Sequence, residues 1–387
     1  MYYSDTQSHR EIQEAIEKLC RRFDDDYWLQ QDQDGTFPHA FHRAVADGGW
    51  LGIAMPTAHG GSSLGITEAA IMMRAIAQSG AGMSGASAVH INIFGLQPVV
   101  VSGTPAQQAR MLPPLIRGAE KACFAVTEPN AGLNTTKLTT RAERVGDRYR
   151  ITGQKIWIST AQVADRALIL ARTSEPDSAK KTAGLSLFYT ALDRSRVEVR
   201  EIRKMGRSAV DSNMLFFDGM DVPAEDLIGA EGAGFRLILH GLNPERILIA
   251  AEAVGLGHAA IRKACQYARE RVVFDRPIGE YQAIQHPLAK CWMNLEAAWL
   301  MALRAAALYD AGRECGAEAN SAKYLAAEAA HAACDTAILT HGGMGYSAEY
   351  HVERYLRESY IPRIAPVSAQ MIMNFIGEKV LELPRSY

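Results

Sequence analysis

The alanine-dense stretches near the end of the chain constrain its fold more than any other feature. Ala302, Ala305, Ala306 and Ala307 fall in one apolar segment, and the run 326–333 in another. Side chains this small let helix axes approach closely, as in an antiparallel bundle. The long helical pattern before them is expected to start at Asn243-Pro244-Glu245, an N-cap residue followed by proline at the first helical position, and to run to about Arg271. Further segments, Gln285 to Ala311 and Ala317 to about Thr340, predict a C-terminal four-helix bundle over 233–387.

The texture ahead of the bundle is different. Residues 121–232 read as short strands. Lys137-Leu-Thr-Thr-Arg-Ala-Glu-Arg144 alternates, turns at Gly146-Asp147 and returns through Tyr149-Arg-Ile-Thr152, which predicts a hairpin. Runs at 167–171, 185–189, 197–199 and 214–217 extend this to a small β-sandwich or barrel. Residues 1–120 read as helices again. Asp5 or Ser8 opens the first, Thr67-Glu68 begins another, and Thr104-Pro105 is a hydroxyl cap with proline behind it. Leu112-Pro-Pro114 is expected to interrupt that last helix. The fold class is α+β: an all-α N-terminal domain, a middle β domain and a helical bundle.

Composition narrows the function. The 387 residues carry a formal charge of −2, with 48% hydrophobic and 22% charged residues. Nothing here favours nucleic acid or an anionic membrane as partner. The scattered cysteines include no Cys-x-x-Cys pair, and His39 and His42 lack an acidic companion at ligand spacing, so no metal site is expected. The polar start Met1–His9 lacks an apolar run and no segment reaches about 20 apolar residues, so the expected location is cytoplasmic.

Two stretches carry chemistry. In Cys123-Phe-Ala-Val-Thr-Glu-Pro-Asn-Ala-Gly-Leu133 a strand meets a turn, with Thr127 and Glu128 at its lip; exposed amides and a hydroxyl there can grip a polar heterocycle, although an ordinary strand-to-loop transition has the same composition. In Gly153-Gln-Lys-Ile-Trp-Ile-Ser159, Trp157 and Ser159 lie on one strand face, setting an aromatic plane beside a hydroxyl, as a flavin ring needs. A buried core tryptophan fits that pattern equally well.

With these stretches the chain resembles the acyl-CoA dehydrogenase family over nearly its whole length. The likeness continues in Lys204-Met-Gly206, Val222-Pro-Ala-Glu225, Gly229-x-x-Gly-x-Gly-Phe235, Arg271-x-x-Phe274, Tyr281-Gln-Ala-Ile284 and His341-Gly-Gly-Met-Gly-Tyr346. The resemblance implies FAD as cofactor. It puts Phe124, Val126, Thr127, Gly132, Leu133, Trp157, Ile158 and Ser159 around the flavin ring. Arg271, Phe274, Gln282, Leu339, Gly342 and Gly343, with Ser368 and Gln370, are the remaining cofactor positions. Arg271 would reach the pyrophosphate of a flavin bound mainly by a neighbouring subunit, which implies a homo-oligomer, with a tetramer suggested. The implied partners are an acyl-CoA substrate and an electron-transfer flavoprotein.

Many members of that family carry the catalytic base in the segment matching Ile364-Ala-Pro-Val-Ser368, where this chain has Pro366. A minority, including isovaleryl-CoA and long-chain types, place it at the head of the long helix before an arginine. The sequence has Glu245-Arg246 there, which points to Glu245 as the base that removes the α-proton. Leu133, Asn243, Arg246, Ala365 and Pro366 fall at substrate-contacting positions. Proline lacks the N–H that the resemblance implies for the thioester carbonyl; Val367, a water or another group are the candidate replacements. Taken without the resemblance, Asn243-Pro244-Glu245 reads first as a plain helix start: N-cap, proline at N1, and an acid at the positive helix end. The expected reaction is α,β-dehydrogenation of a short, medium or branched acyl-CoA to the trans-2-enoyl-CoA. An oxygen-using oxidase or monooxygenase relative, and a non-catalytic thioester-binding homologue, are the alternatives.

Overall fold

The computed structural model describes residues 6–175 and 182–386, excluding the side chains of 92–94. The chain opens with α1 (Gln7–Cys20), α2 (Asp25–Asp34) and α3 (His39–Asp47), then α4 (Ile66–Ile76), α5 (Gly82–Phe94), α6 (Gln97–Ser102) and α7 (Pro105–Ile116). Thr6 caps α1, accepting from His9 N at 3.2 Å, rather than Ser8; Asp5 lies outside the described residues. The α4 start is Gly65-Ile66, one residue ahead of Thr67-Glu68. Its free amides are capped from far away: Asp310 accepts from Ile66 N at 2.7 Å, Thr67 N at 2.9 Å and Thr67 Oγ1 at 2.6 Å.

The expected break at Leu112-Pro-Pro114 does not occur, and α7 runs through both prolines to Ile116. They sit in its last turns, where little helix remains downstream, and their carbonyls still accept from Arg117 N and Ala119 N.

The middle strands are β1 (Ala122–Ala125), β2 (Arg141–Val145), β3 (Arg148–Ser159), β4 (Arg166–Arg172), β5 (Leu185–Ala191), β6 (Val197–Glu201), β7 (Ser212–Pro223) and β8 (Leu227–Ile228). The β2–β3 hairpin forms in register Arg141↔Thr152 to Val145↔Arg148, with its turn at Gly146 in the left-handed region (φ +63°). Its first strand begins at Arg141; Thr135–Lys137 is a single 3₁₀ turn instead. The sheet order is β6-β7-β3-β2-β4-β5-β8, with β1 parallel to β4. The strand ladder joins the two halves around Arg141↔Arg172, and they fold face to face, as the Tyr149–Phe188 ring pair at 5.0 Å records. Alternate residues of β3, β4, β5 and β7 fill the space between them.

After the sheet come α8 (Gly234–Glu270), the short strands β9 (Val272–Val273) and β10 (Arg276–Pro277), α9 (Gln282–Asp310), α10 (Gly316–His341), α11 (Val352–Glu358), α12 (Ile361–Ile364) and α13 (Ala369–Lys379). The expected start at Asn243-Pro244-Glu245 is corrected: α8 begins at Gly234, and Pro244 lies inside it. A proline there forfeits one backbone bond and costs about 3 kcal/mol. Packing of α8 on α10, α9, α4 and α5 outweighs that cost. A single apolar core joins α1, α4 and α5 to α8, α9 and α10, so the helices from both ends of the chain pack as one body. Among the described residues no helix is long and apolar enough to cross a membrane.

Candidate active site

The turn after β1 is locked from beneath. Lys155, 0% exposed, sends its ammonium to Val126 O at 3.0 Å, Leu170 O at 2.7 Å and Glu128 Oε1 at 2.9 Å. Glu128 also accepts from Thr139 N and Oγ1 and from Thr140 N at 2.7–3.0 Å. Burial alone would raise this carboxyl, but the Lys155 charge and these donors pull it down to about 2. Glu128 is therefore an anchor below the turn, not a group at its lip. Its partner Lys155 gave no local signal in the sequence, because the pair is made only when β3 folds against the turn. Ile156 N donates to Thr127 O at 2.9 Å, tying that residue to the same strand.

Above this anchor β3 bulges between Lys155 and Ile158. Trp157 adopts φ +61° and is 57% exposed, while Ile158 is buried. An aromatic residue in the left-handed region is strained by about 1–3 kcal/mol, a cost typically found at functional sites. Trp157 and Ser159 thus share the outward face, beside exposed Gly132 and Leu133 and partly exposed Phe124, Val126 and Thr127. Behind Ser159 lies a half-buried cation that sequence reasoning missed. Arg207 donates to Ser159 Oγ at 2.8 Å, Ser212 Oγ at 3.1 Å and Ser87 Oγ at 3.2 Å, and its Nε is buried without a partner.

The second group of expected cofactor positions gathers elsewhere. Arg271 follows α8, and Phe274 projects from the β9–β10 turn, 87% exposed. Gln282 opens α9, and Leu339, Gly342 and Gly343 close α10. β10 packs on α8, and the 3₁₀ turn Ile278–Glu280 that follows it packs on α8 and α9. A Cβ added at Gly132, Gly342 or Gly343 would meet nothing within 4 Å, so these backbones are open to close approach. Ser368 caps α13 by accepting from Met371 N at 3.4 Å, and Gln370 is exposed on its first turn.

Glu245 sits on α8, partly exposed, and accepts no hydrogen bond among the described residues. Because α8 starts well upstream, no helix N-terminus stabilises its charge. Burial pushes the carboxyl up to about 7; His90, Arg246 and Lys323 oppose that rise, and Glu252 adds to it. Arg246 donates to Asn243 Oδ1 at 3.1 Å, which fixes both side chains on that stretch of helix. Lys323 of α10, 1% exposed, donates to Val367 O and so ties the 365–368 segment to the bundle close to Glu245. Val367 N–H makes no hydrogen bond among the described residues. Lys323 too was missed, since it lies in an alanine-rich helical run with no motif of its own. No group of three or more His, Cys, Asp or Glu side chains suited to a metal ion occurs among the described residues.

Sequence models of the acyl-CoA dehydrogenase N-terminal, middle and C-terminal domains match residues 6–119, 123–220 and 232–381. The chain belongs to the acyl-CoA dehydrogenase family. It is 34% identical to "Acyl-CoA dehydrogenase FadE12" of Mycobacterium tuberculosis, over 100% of this chain and 99% of the relative. It is 32% identical to the "Caffeyl-CoA reductase-Etf complex subunit CarC" of Acetobacterium woodii, over 99% and 100%. The structure of a glutaryl-coenzyme A dehydrogenase in complex with glutaryl-CoA superposes with a TM-score of 0.93 at 29% identity, covering 100% of this chain and 98% of that one. Like its family, this acyl-CoA dehydrogenase is an FAD enzyme that oxidises acyl-CoA. The Trp157–Ser159 shelf, with an exposed ring, a hydroxyl and a half-buried guanidinium behind it, suits a flavin in the chemistry of its donors.

Proposed function

We propose that this acyl-CoA dehydrogenase carries out α,β-dehydrogenation of a short, medium or branched acyl-CoA, with Glu245 as the base. The observation that carries the reading is Glu245 itself: a desolvated carboxyl raised to about 7, free of hydrogen bonds, with proline at the alternative position 366. A base near neutrality combines a usable ionised fraction with a strong pull on the α-proton. FAD, when bound, supplies the acceptor for the hydride that leaves Cβ. Trp157 and Ser159, with Phe124, Val126, Thr127, Gly132, Leu133 and Ile158, orient it; Arg271, Phe274, Gln282, Leu339, Gly342, Gly343, Ser368 and Gln370 complete the cofactor site.

Leu133, Asn243, Arg246, Ala365 and Pro366 border the thioester. The unengaged Val367 N–H replaces the donor that proline lacks, with Lys323 holding that segment in place. Electrons leave to an electron-transfer flavoprotein, in keeping with the Etf complex named for the Acetobacterium relative. Exposed Phe274 and the open glycines of 342–343 support a flavin shared between subunits, hence a homo-oligomer, for which we adopt a tetramer.

Anaerobic mixing of the FAD-loaded protein with a panel of acyl-CoA thioesters tests this. Loss of visible flavin absorbance with one chain length or branching pattern is expected, and reoxidation by electron-transfer flavoprotein faster than by oxygen. Bound flavin that no thioester bleaches contradicts the reading.

A further inference from the structure

Glu252 is an anomaly that the proposed reaction leaves unused. It lies on α8 two turns beyond Glu245, on the same face, among residues of the alanine-rich core, and is 0% exposed. An acid so placed needs a partner. It has one: Glu252 Oε1 is in short hydrogen-bonding contact with His90 Nδ1, while its Oε2 is buried without a hydrogen bond. His90 comes from α5, whose depth is fixed at the other end. Glu358 accepts from Met83 N at 2.7 Å and Ser84 Oγ at 2.6 Å, gripping the first turn of α5. Helix, histidine and buried acid are therefore held in one arrangement beside Glu245, which lies two turns before Glu252 on the same face of α8, and the imidazole and the Glu245 carboxyl act on one another's charge.

We propose that His90 and Glu252 form a positioning pair for the catalytic base: the buried Glu252 carboxylate fixes and charges the imidazole, and the imidazolium faces the Glu245 carboxylate. This rests on Glu245 being the base. Among the described residues the charges acting on His90 are Glu252 and Glu245 from α8 and Arg207 from the loop before β7; those acting on Glu245 are His90 from α5, Arg246 and Glu252 on its own helix, and Lys323 from α10. Burial works against protonation of His90, and so does Arg207. The charge and hydrogen bond of Glu252, joined by the charge of Glu245, outweigh both and hold the imidazole above its ordinary range. The pair thereby counters the desolvation that would otherwise keep the base protonated at neutral pH. Removing the imidazolium should raise the proton affinity of Glu245.

Infrared difference spectra of the FAD-loaded holoenzyme across pH follow the carboxylic acid band that disappears in Glu245→Gln. In His90→Gln the midpoint of this band is expected to move up by about one pH unit, a tenfold change in proton affinity. Glu252→Gln should move it in the same direction but by less, because the imidazole loses its counter-charge while the smaller direct push of Glu252 on Glu245 is removed as well. The double variant His90→Gln/Glu252→Gln keeps an amide hydrogen bond without either charge, which protects folding, and should move the midpoint no further than His90→Gln alone. A folded variant lacking His90 with an unmoved midpoint overturns the proposal, as does an upward shift in His90→Gln without any upward shift in Glu252→Gln. Failure of the base assignment would appear separately, as flavin reduction that survives in Glu245→Gln.

Discussion

Single charged side chains at this site are governed by what surrounds them rather than by their neighbours in sequence. Beside Glu245 the residues Asn243, Pro244 and Arg246 read as a helix start, which would have lowered its carboxyl through the helix dipole. The upstream turns of α8 remove that effect, and burial decides in the opposite direction. Flavin reduction by substrate should therefore rise as pH climbs through about 7, where the base becomes ionised. A rate flat from pH 5 to 9 would contradict this. Glu128 behaves in the opposite way. Its carboxyl is held near 2, so the stability it contributes is present above about 4.5 and is lost as pH falls through 2. Lys155→Met strands that carboxylate and should cost about 3–5 kcal/mol in denaturant unfolding, with much of the loss recovered by adding Glu128→Leu. Equal losses in the single and double variants would show the pair to be unimportant. Neither Lys155 nor Glu252 was legible in the sequence. Each is recognisable only through a partner on another element, Glu128 in one case and His90 in the other.

Elements were legible where a periodic pattern has local punctuation. The β2–β3 hairpin has alternating strands and a glycine turn, and it forms where expected. Thr104 caps α7 with Gln107 completing the box, again a local signal. Prolines misled because their cost is local while the compensation is tertiary. Pro113, Pro114 and Pro244 all sit inside helices whose packing outweighs a lost backbone bond. The α4 start was off by one for a related reason, since its capping carboxylate, Asp310, comes from the end of α9. Asp310→Ala leaves those amides and the Thr67 hydroxyl without an acceptor. It should cost about 1–2 kcal/mol, seen as a lowered midpoint in thermal or denaturant unfolding. An unchanged midpoint would mean that water caps α4 equally well. The same substitution should leave FAD content unchanged, because among the described residues the Asp310 carboxylate bonds to Ile66 and Thr67 at the start of α4 and to none of the proposed cofactor positions.

At the scale of the molecule, one apolar core runs through helices from both ends of the chain, and the sheet is carried beside it. The succession of textures was visible in the sequence, but this joint core was not, because no local pattern reports which helices will meet. The outer face of α9 still exposes Met293 and Leu300, one heptad apart on the same stripe. An exposed apolar stripe of this kind is the surface we assign to the subunit contact of the proposed oligomer. Met293→Glu with Leu300→Glu should reduce the assembly seen by light scattering and release FAD, because Arg271 then no longer reaches a neighbour's flavin. A smaller assembly that keeps its full FAD content would argue against the shared site.

The central claim, that Glu245 removes the α-proton, is tested most directly by anaerobic single-turnover reduction of FAD-loaded Glu245→Gln with the thioester that bleaches the native enzyme. Bound flavin and thioester, with reduction slower by at least about 10²-fold, is the predicted result. Reduction at the native rate would place the base elsewhere.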